Sequence, residues 1–158
     1  MVEQTPQDDY ADFPGELKGL EQWVVWVLRS GKKIPVDPKT GKPASSTDPS
    51  TWSNFHAALS YARQAGAAGI GFVLIEPNGI TVVDLDKCRD PKTEIIQPWA
   101  VAIIRQLNSY TEISPSGTGV HIWTRAKVPP GGNRHGRVEM YTTARYMTVT
   151  GQVLRRTE

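Results

Sequence analysis

Ile80-Thr81-Val82-Val83-Asp84-Leu85-Asp86 is the stretch whose reading decides the fold. Val82, Val83 and Leu85 are strand formers, and a strand's side-chain period of two sends Asp84 and Asp86 to the same face. Two carboxylates side by side on a sheet face repel each other and weaken the strand. A hard divalent cation makes such a pair tolerable, because Mg²⁺ and Mn²⁺ prefer oxygen ligands. The bland alternative is two acids at a strand end, solvated and idle.

Working outward, residues 69–75 form a strand just before it, joined through Glu76-Pro77-Asn78-Gly79. Asn-Gly tolerates positive φ and is a strong hairpin signal, so the carboxylate strand is expected as the second arm of a hairpin. Further back, residues 22–29 (Trp23, Val24, Val25, Trp26, Val27, Leu28) are aromatic and β-branched and predict a buried strand. Ser30-Gly31-Lys32 turns the chain into a short antiparallel strand over 33–36, and a loop rich in Pro, Gly, Ser, Lys and Thr follows over 37–49. Trp52, Phe55, Leu59 and Ala62 at helical spacing predict a helix starting at 51–53 and ending at Gly66. On the other side, a turn at 88–93 leads to a helix over 96–107, with Pro98 near its start and Trp99, Ile103 and Leu107 on one face. Strands are expected at 111–114, 119–125, 137–141 and 145–150. The class is α+β: a mostly antiparallel sheet with helices on one face.

The chain has 158 residues, 39% hydrophobic and 22% charged, as expected of one globular domain with a real core. A net charge of +2 is too small to imply a nucleic-acid partner. The single cysteine, Cys88, excludes an internal disulfide and fits a reducing cytoplasm; with three histidines it argues against a zinc site. No apolar run reaches membrane-spanning length, and the N-terminus does not resemble a signal peptide. Residues 1–16, acidic and polar, are expected as a flexible lead-in to a single domain over 17–158. Leu154-Arg155-Arg156-Thr157-Glu158 has the look of a chain cut from something longer.

Three further features fit around the carboxylates. His121 lies between Val120 and Ile122, and Glu139 between Val138 and Met140, so each points away from its apolar neighbours. If their strands flank Asp84 and Asp86, three acids and a histidine converge on one polar face, and the apolar face packs on helices. Ser114-Pro115-Ser116-Gly117-Thr118-Gly119 precedes the histidine strand. Its small hydroxyl and glycine residues suit backbone N–H groups cradling an anion, or simply a flexible turn. The third feature is cationic: Lys32, Lys33, Lys39 and Lys42 early, and Arg134, Arg137 and Arg145 around Glu139. Cations beside acids and a Gly/Ser loop suit a triphosphate held with Mg²⁺. Arg145, in an otherwise apolar and hydroxylic strand, and Lys33 are the strongest candidates.

Val-Asp-Leu-Asp, then Ser-Gly-Thr-Gly-Val-His, then Val-Glu-Met-Tyr resembles, in that order, the three motifs of the archaeo-eukaryotic primase superfamily. More narrowly the chain resembles the bifunctional primase–polymerase (Prim-Pol) domain of phage and plasmid replication proteins. Lys33-Ile34-Pro35, Thr47-Asp48-Pro49 with Thr51-Trp52, and Arg145-Tyr146-Met147-Thr148-Val149-Thr150-Gly151 fit it, over roughly residues 18–154. The resemblance implies an RRM-like catalytic sheet packed against a small N-terminal α/β unit, with the site in the cleft between. It implies template-directed nucleotidyl transfer from NTP or dNTP onto a primer on single-stranded DNA, in the cytoplasm of a bacterial or archaeal host. Carried over, Asp84, Asp86 and Glu139 hold two Mg²⁺ or Mn²⁺ ions. Ser114, Ser116, Gly117 and His121 contact the triphosphate with Lys33 and Arg145, and a charged His121 would strengthen that contact. A helicase or helical C-terminal segment often follows in such proteins.

Two other classes compete. A metal-dependent nuclease or rolling-circle initiator also uses carboxylates, but such initiators generally carry a His-x-His pair, and here Trp123 stands two residues after His121. A non-catalytic nucleic-acid-binding module would present aromatics on its sheet face rather than acids. Trp52, Trp123, Tyr141 and Tyr146 are available for stacking, although tryptophans in such patterns are more often core; Arg155 and Arg156 are candidate phosphate contacts.

Overall fold

The computed structural model describes residues 10–125 and 134–154. Helices α1 (Gly15–Lys18), α2 (Phe55–Ala65) and α3 (Pro98–Leu107) accompany nine strands: β1 (Trp23–Arg29), β2 (Lys32–Val36), β3 (Gly69–Leu74), β4 (Thr81–Leu85), β5 (Tyr110–Ile113), β6 (Val120–Thr124), β7 (Arg134–His135), β8 (Val138–Tyr141) and β9 (Arg145–Val149). The class is α+β, as expected, but the strands divide between two antiparallel sheets. One is four-stranded in the order β2-β1-β3-β9, the other five-stranded in the order β5-β6-β4-β8-β7. The expected N-terminal unit therefore takes its last strand from near the C-terminus.

The hairpin expected through Asn78-Gly79 does not form. Strands β3 and β4 lie in different sheets, and each already has partners on both sides. A type I′ turn needs positive φ at both central residues. Gly79 has it, at 67°, but Asn78 closes a 3-10 turn over Glu76–Asn78 instead. The Asn78 side chain is held by Gln22, whose Nε2 donates to Oδ1 at 2.7 Å. Pro77 favours this turn by fixing its own φ, and the chain crosses to the second sheet.

The four-stranded sheet is apolar on both faces, which explains the unbroken hydrophobic run of β1. Trp23, Val25, Ile70 and Phe72 join Ala58, Leu59 and Ala62 of α2 in the main core. Val24 and Val73 point the other way, onto Trp52. Trp52 is therefore not helical. Asn54 begins α2, its side-chain oxygen accepting from the Ala57 N–H at 2.7 Å, and Trp52 precedes it as a core residue of the opposite face.

The five-stranded sheet packs Val83, Leu85, Val120 and Ile122 against α3. Its other face meets the main core at one end through Val82 and Trp123. Phe13 sits at this junction, edge-on to Trp23, Tyr110 and Trp123 at 5.5, 5.3 and 5.1 Å between ring centroids. It is 2% exposed, so the lead-in expected over 1–16 includes a core residue; residues 1–9 of it lie outside the described residues. Among the described residues no helix is long and apolar enough to cross a membrane.

Candidate active site

Strand β4 is the centre of the five-stranded sheet, and pairing lines its acids up with the other candidates. Asp84 is directly opposite His121 on β6 and Glu139 on β8, while Glu112 on β5 is opposite His121. A continuous row Glu112–His121–Asp84–Glu139 thus crosses the sheet on the face away from α3. On that face Val82 and Trp123 extend the row's columns into apolar core, so only the end of the sheet beyond the junction is polar. Asp86 follows the last residue of β4, exposed, with its N–H donating to the Arg137 carbonyl at 2.8 Å.

A cavity of about 370 Å³ opens beside the row. Lys33, Asp84, His121 and Arg145 line it together with Ser46, Tyr141, Tyr146 and Thr148. Two walls come from different sheets: Asp84, His121 and Tyr141 from the five-stranded one, Lys33, Arg145, Tyr146 and Thr148 from the four-stranded one. Arg145 lies over the Tyr141 ring, 4.2 Å from guanidinium carbon to ring centroid, and donates to its hydroxyl at 3.2 Å. Lys33 lies over Trp26 at 5.5 Å.

The electrostatics are those of an acid cluster facing two cations. Asp84 is pushed up to about 6, first by burial and then by the neighbouring Asp86 and Glu139 charges, with Lys33 and Arg145 pulling the other way. His121 is 6% exposed, and burial lowers it to about 4, opposed by the nearby Thr148 backbone, which favours its charged form. Its Nε2 is 3.6 Å from Asp84 Oδ1, too long for a hydrogen bond, and its Nδ1 has no partner. The imidazole is accordingly neutral at pH 7.

The Ser114–Gly119 loop packs against the end of β4. A Cβ at Gly119 would sit 2.6 Å from the Leu85 carbonyl oxygen, so only glycine permits this approach. Most of its N–H groups are engaged within the loop. Gly117 N donates to Ser114 O, Thr118 N to Ser116 Oγ, and Gly119 N to Ser114 Oγ. What it presents is a chain of hydroxyls, Ser114 to Ser116 at 3.1 Å and Ser116 to Thr118 at 2.8 Å, rather than an open nest of amides. The half-buried Arg89 guanidinium donates to the Gly117 carbonyl at 2.9 Å. Ser114, Ser116 and Gly117 do not line the cavity itself.

For metal binding, the donors are oxygens only and mutually repulsive, which fits a hard cation. Among the described residues, however, no three His, Cys, Asp or Glu side chains are gathered closely enough to close on one ion. Glu112 is the residue the sequence reading missed. Fully buried, it accepts from Tyr110 Oη at 2.9 Å, Thr150 N at 2.7 Å and Gly151 N at 3.2 Å. It ties the end of β9 to the second sheet, and burial raises its pKa. The alternation that singled out His121 and Glu139 was present in Thr111-Glu112-Ile113 as well.

Fold and site together define a two-sheet α+β domain with a histidine–carboxylate row facing cations across a cleft. No family model matches the chain. Over 143 residues, 87% of its length, it is 38% identical to the DNA primase-polymerase of Nitratiruptor phage NrS-1. By this similarity the chain is a Prim-Pol domain, and it spans about 20% of that phage protein's length.

Proposed function

We propose that this domain is the catalytic part of a DNA primase–polymerase, transferring nucleotides from NTP or dNTP to a primer on a single-stranded DNA template in phage or plasmid replication. The observation that carries it is Asp84, central in the sheet, raised to about 6 first by burial and then by neighbouring acids, and faced by Lys33 and Arg145. Such a site is built for a substrate that arrives as a polyanion with cations. The name of the relative agrees.

Asp84, Asp86 and Glu139 would hold Mg²⁺ or Mn²⁺, two ions in all. Bound there, they supply charge stabilisation at the primer hydroxyl and the leaving pyrophosphate. Lys33 and Arg145 orient the triphosphate from the opposite wall, and the Ser114 and Ser116 hydroxyls beside Gly117 approach it from the end of β4. His121, neutral when the cleft is empty, has one N–H to give a phosphate oxygen, and a bound polyphosphate raises its pKa by favouring the charged form. The domain works in the host cytoplasm, with a helicase or helical segment in the same replication protein. The test is primed-template extension with dNTPs and Mn²⁺ or Mg²⁺, beside the Asp84→Ala/Asp86→Ala variant. Metal-dependent extension lost in a folded variant supports the assignment; undiminished extension by that variant would sink it.

A further inference from the structure

We infer that the tip of the β1–β2 hairpin is the landing surface for the single-stranded template, its phosphates meeting Arg29 and Lys32 and its sugars or bases meeting Leu28. This rests on the proposed function and names where its macromolecular substrate enters. The hairpin turns through Ser30 (φ 53°) and Gly31 (φ 75°), so Arg29 is directly opposite Lys32 and Leu28 opposite Lys33. A like-charge pair facing across two strands destabilises the hairpin. No acid occurs from residue 22 to residue 36, and among the described residues neither cation has an ion-pair partner. Nothing within the fold repays that cost; a polyanion would.

Leu28 adds a second signal. It is 58% exposed, one of two large hydrophobic side chains so exposed among the described residues, and it stands beside Lys33 at the same tip, on the other face of the hairpin from Arg29 and Lys32. Cations around an apolar contact match a strand whose phosphates alternate with apolar sugar and base faces. Leu28 and Lys33 share the face of the hairpin that leads to the cleft, and Arg29 and Lys32 lie on its other face, so a strand passing over the tip meets both. Lys33 lines the cavity and acts electrostatically on Asp84. Because the other wall is acidic, a nucleic-acid strand reaching the cleft meets attraction on this lip and repulsion on that one.

The experiment is fluorescence anisotropy of the whole chain with a labelled single-stranded oligonucleotide across a salt series. Wild type is compared with Arg29→Ala/Lys32→Ala and with Leu28→Ala, and thermal melts show that each is folded. The double variant is expected to bind about tenfold or more weakly and to lose about 1.4 from the slope of log K against log salt, at 0.7 per phosphate contact on a single strand. Leu28→Ala should weaken binding without changing the slope, and the KM for dNTP should not move in either variant. Wild-type affinity and slope in the double variant would overturn the inference and leave those charges as protection of an exposed edge strand. The proposed function would survive that result if extension persists; a wild-type chain that neither binds the oligonucleotide nor extends a primer overturns both.

Discussion

The two sheets solve opposite problems. In the four-stranded sheet, β1 and β3 are buried on both faces, by α2 on one side and by Trp52 on the other. The five-stranded sheet is covered by α3 on one face and spends the other on Glu112, His121, Asp84 and Glu139. The first sheet can therefore position groups with little give, because every shift of its strands disturbs close packing. The second carries charges that raise the free energy of the empty fold. Lys33 and Arg145, rooted in the rigid sheet, partly relieve that cost.

Breaking the seam between the sheets should have the largest effect. Phe13→Ala removes a ring shared by Trp23, Tyr110 and Trp123 and is expected to cost about 3–5 kcal/mol; chemical denaturation measures it. Glu112→Ala should cost roughly 2–4 kcal/mol, since it leaves the half-buried Thr150 and Gly151 N–H groups without their acceptor. A loss below 0.5 kcal/mol would mean that the seam does not depend on this carboxylate.

Titration sharpens the contrast further. Asp84 is raised from 3.8 to about 6, so the fold binds its proton more tightly, and that stability is lost as pH rises through this window. His121 is lowered from 6.5 to about 4, so its contribution runs the other way and is lost as pH falls from 6.5 to 4. Each displacement corresponds to about 3 kcal/mol at most, and in the wild type the two oppose each other. Asp84→Asn should therefore melt at lower temperature as pH falls from 6.5 to 4, and His121→Gln at higher temperature. Like slopes in both variants would exclude this coupling. The smallest effect is expected from Lys33→Ala, which removes a cation that favours ionised Asp84 and should move the pH midpoint of Mn²⁺ binding upward.

Most strands were legible because each sheet writes its own pattern: an unbroken apolar run in β1, alternation in β4, β6 and β8. That His121 and Glu139 share a face with Asp84 followed from the same alternation, which needs no knowledge of partners. Sheet membership was not legible. Asn78-Gly79 signals a reversal, but whether the flanking strands pair depends on whether their edges are free, and here β6, β8, β1 and β9 occupy them. Trp52 was misplaced because a tryptophan at helical spacing looks the same whether it belongs to the helix or precedes its cap. Phe13 was hidden as one aromatic in an acidic stretch. Arg155 and Arg156 lie outside the described residues.

The late return of β9 to β3 has a consequence for how the molecule is made. Ile70 pairs with Val149 and Leu74 with Arg145, so the first sheet to begin leaving the ribosome is the last to be completed. Until then, β3 offers an open edge beside strands rich in tryptophan and valine. Contacts so distant in sequence slow folding, and an unpaired apolar edge invites association while it waits. The nascent chain should therefore depend most on chaperones between synthesis of β3 and synthesis of β9.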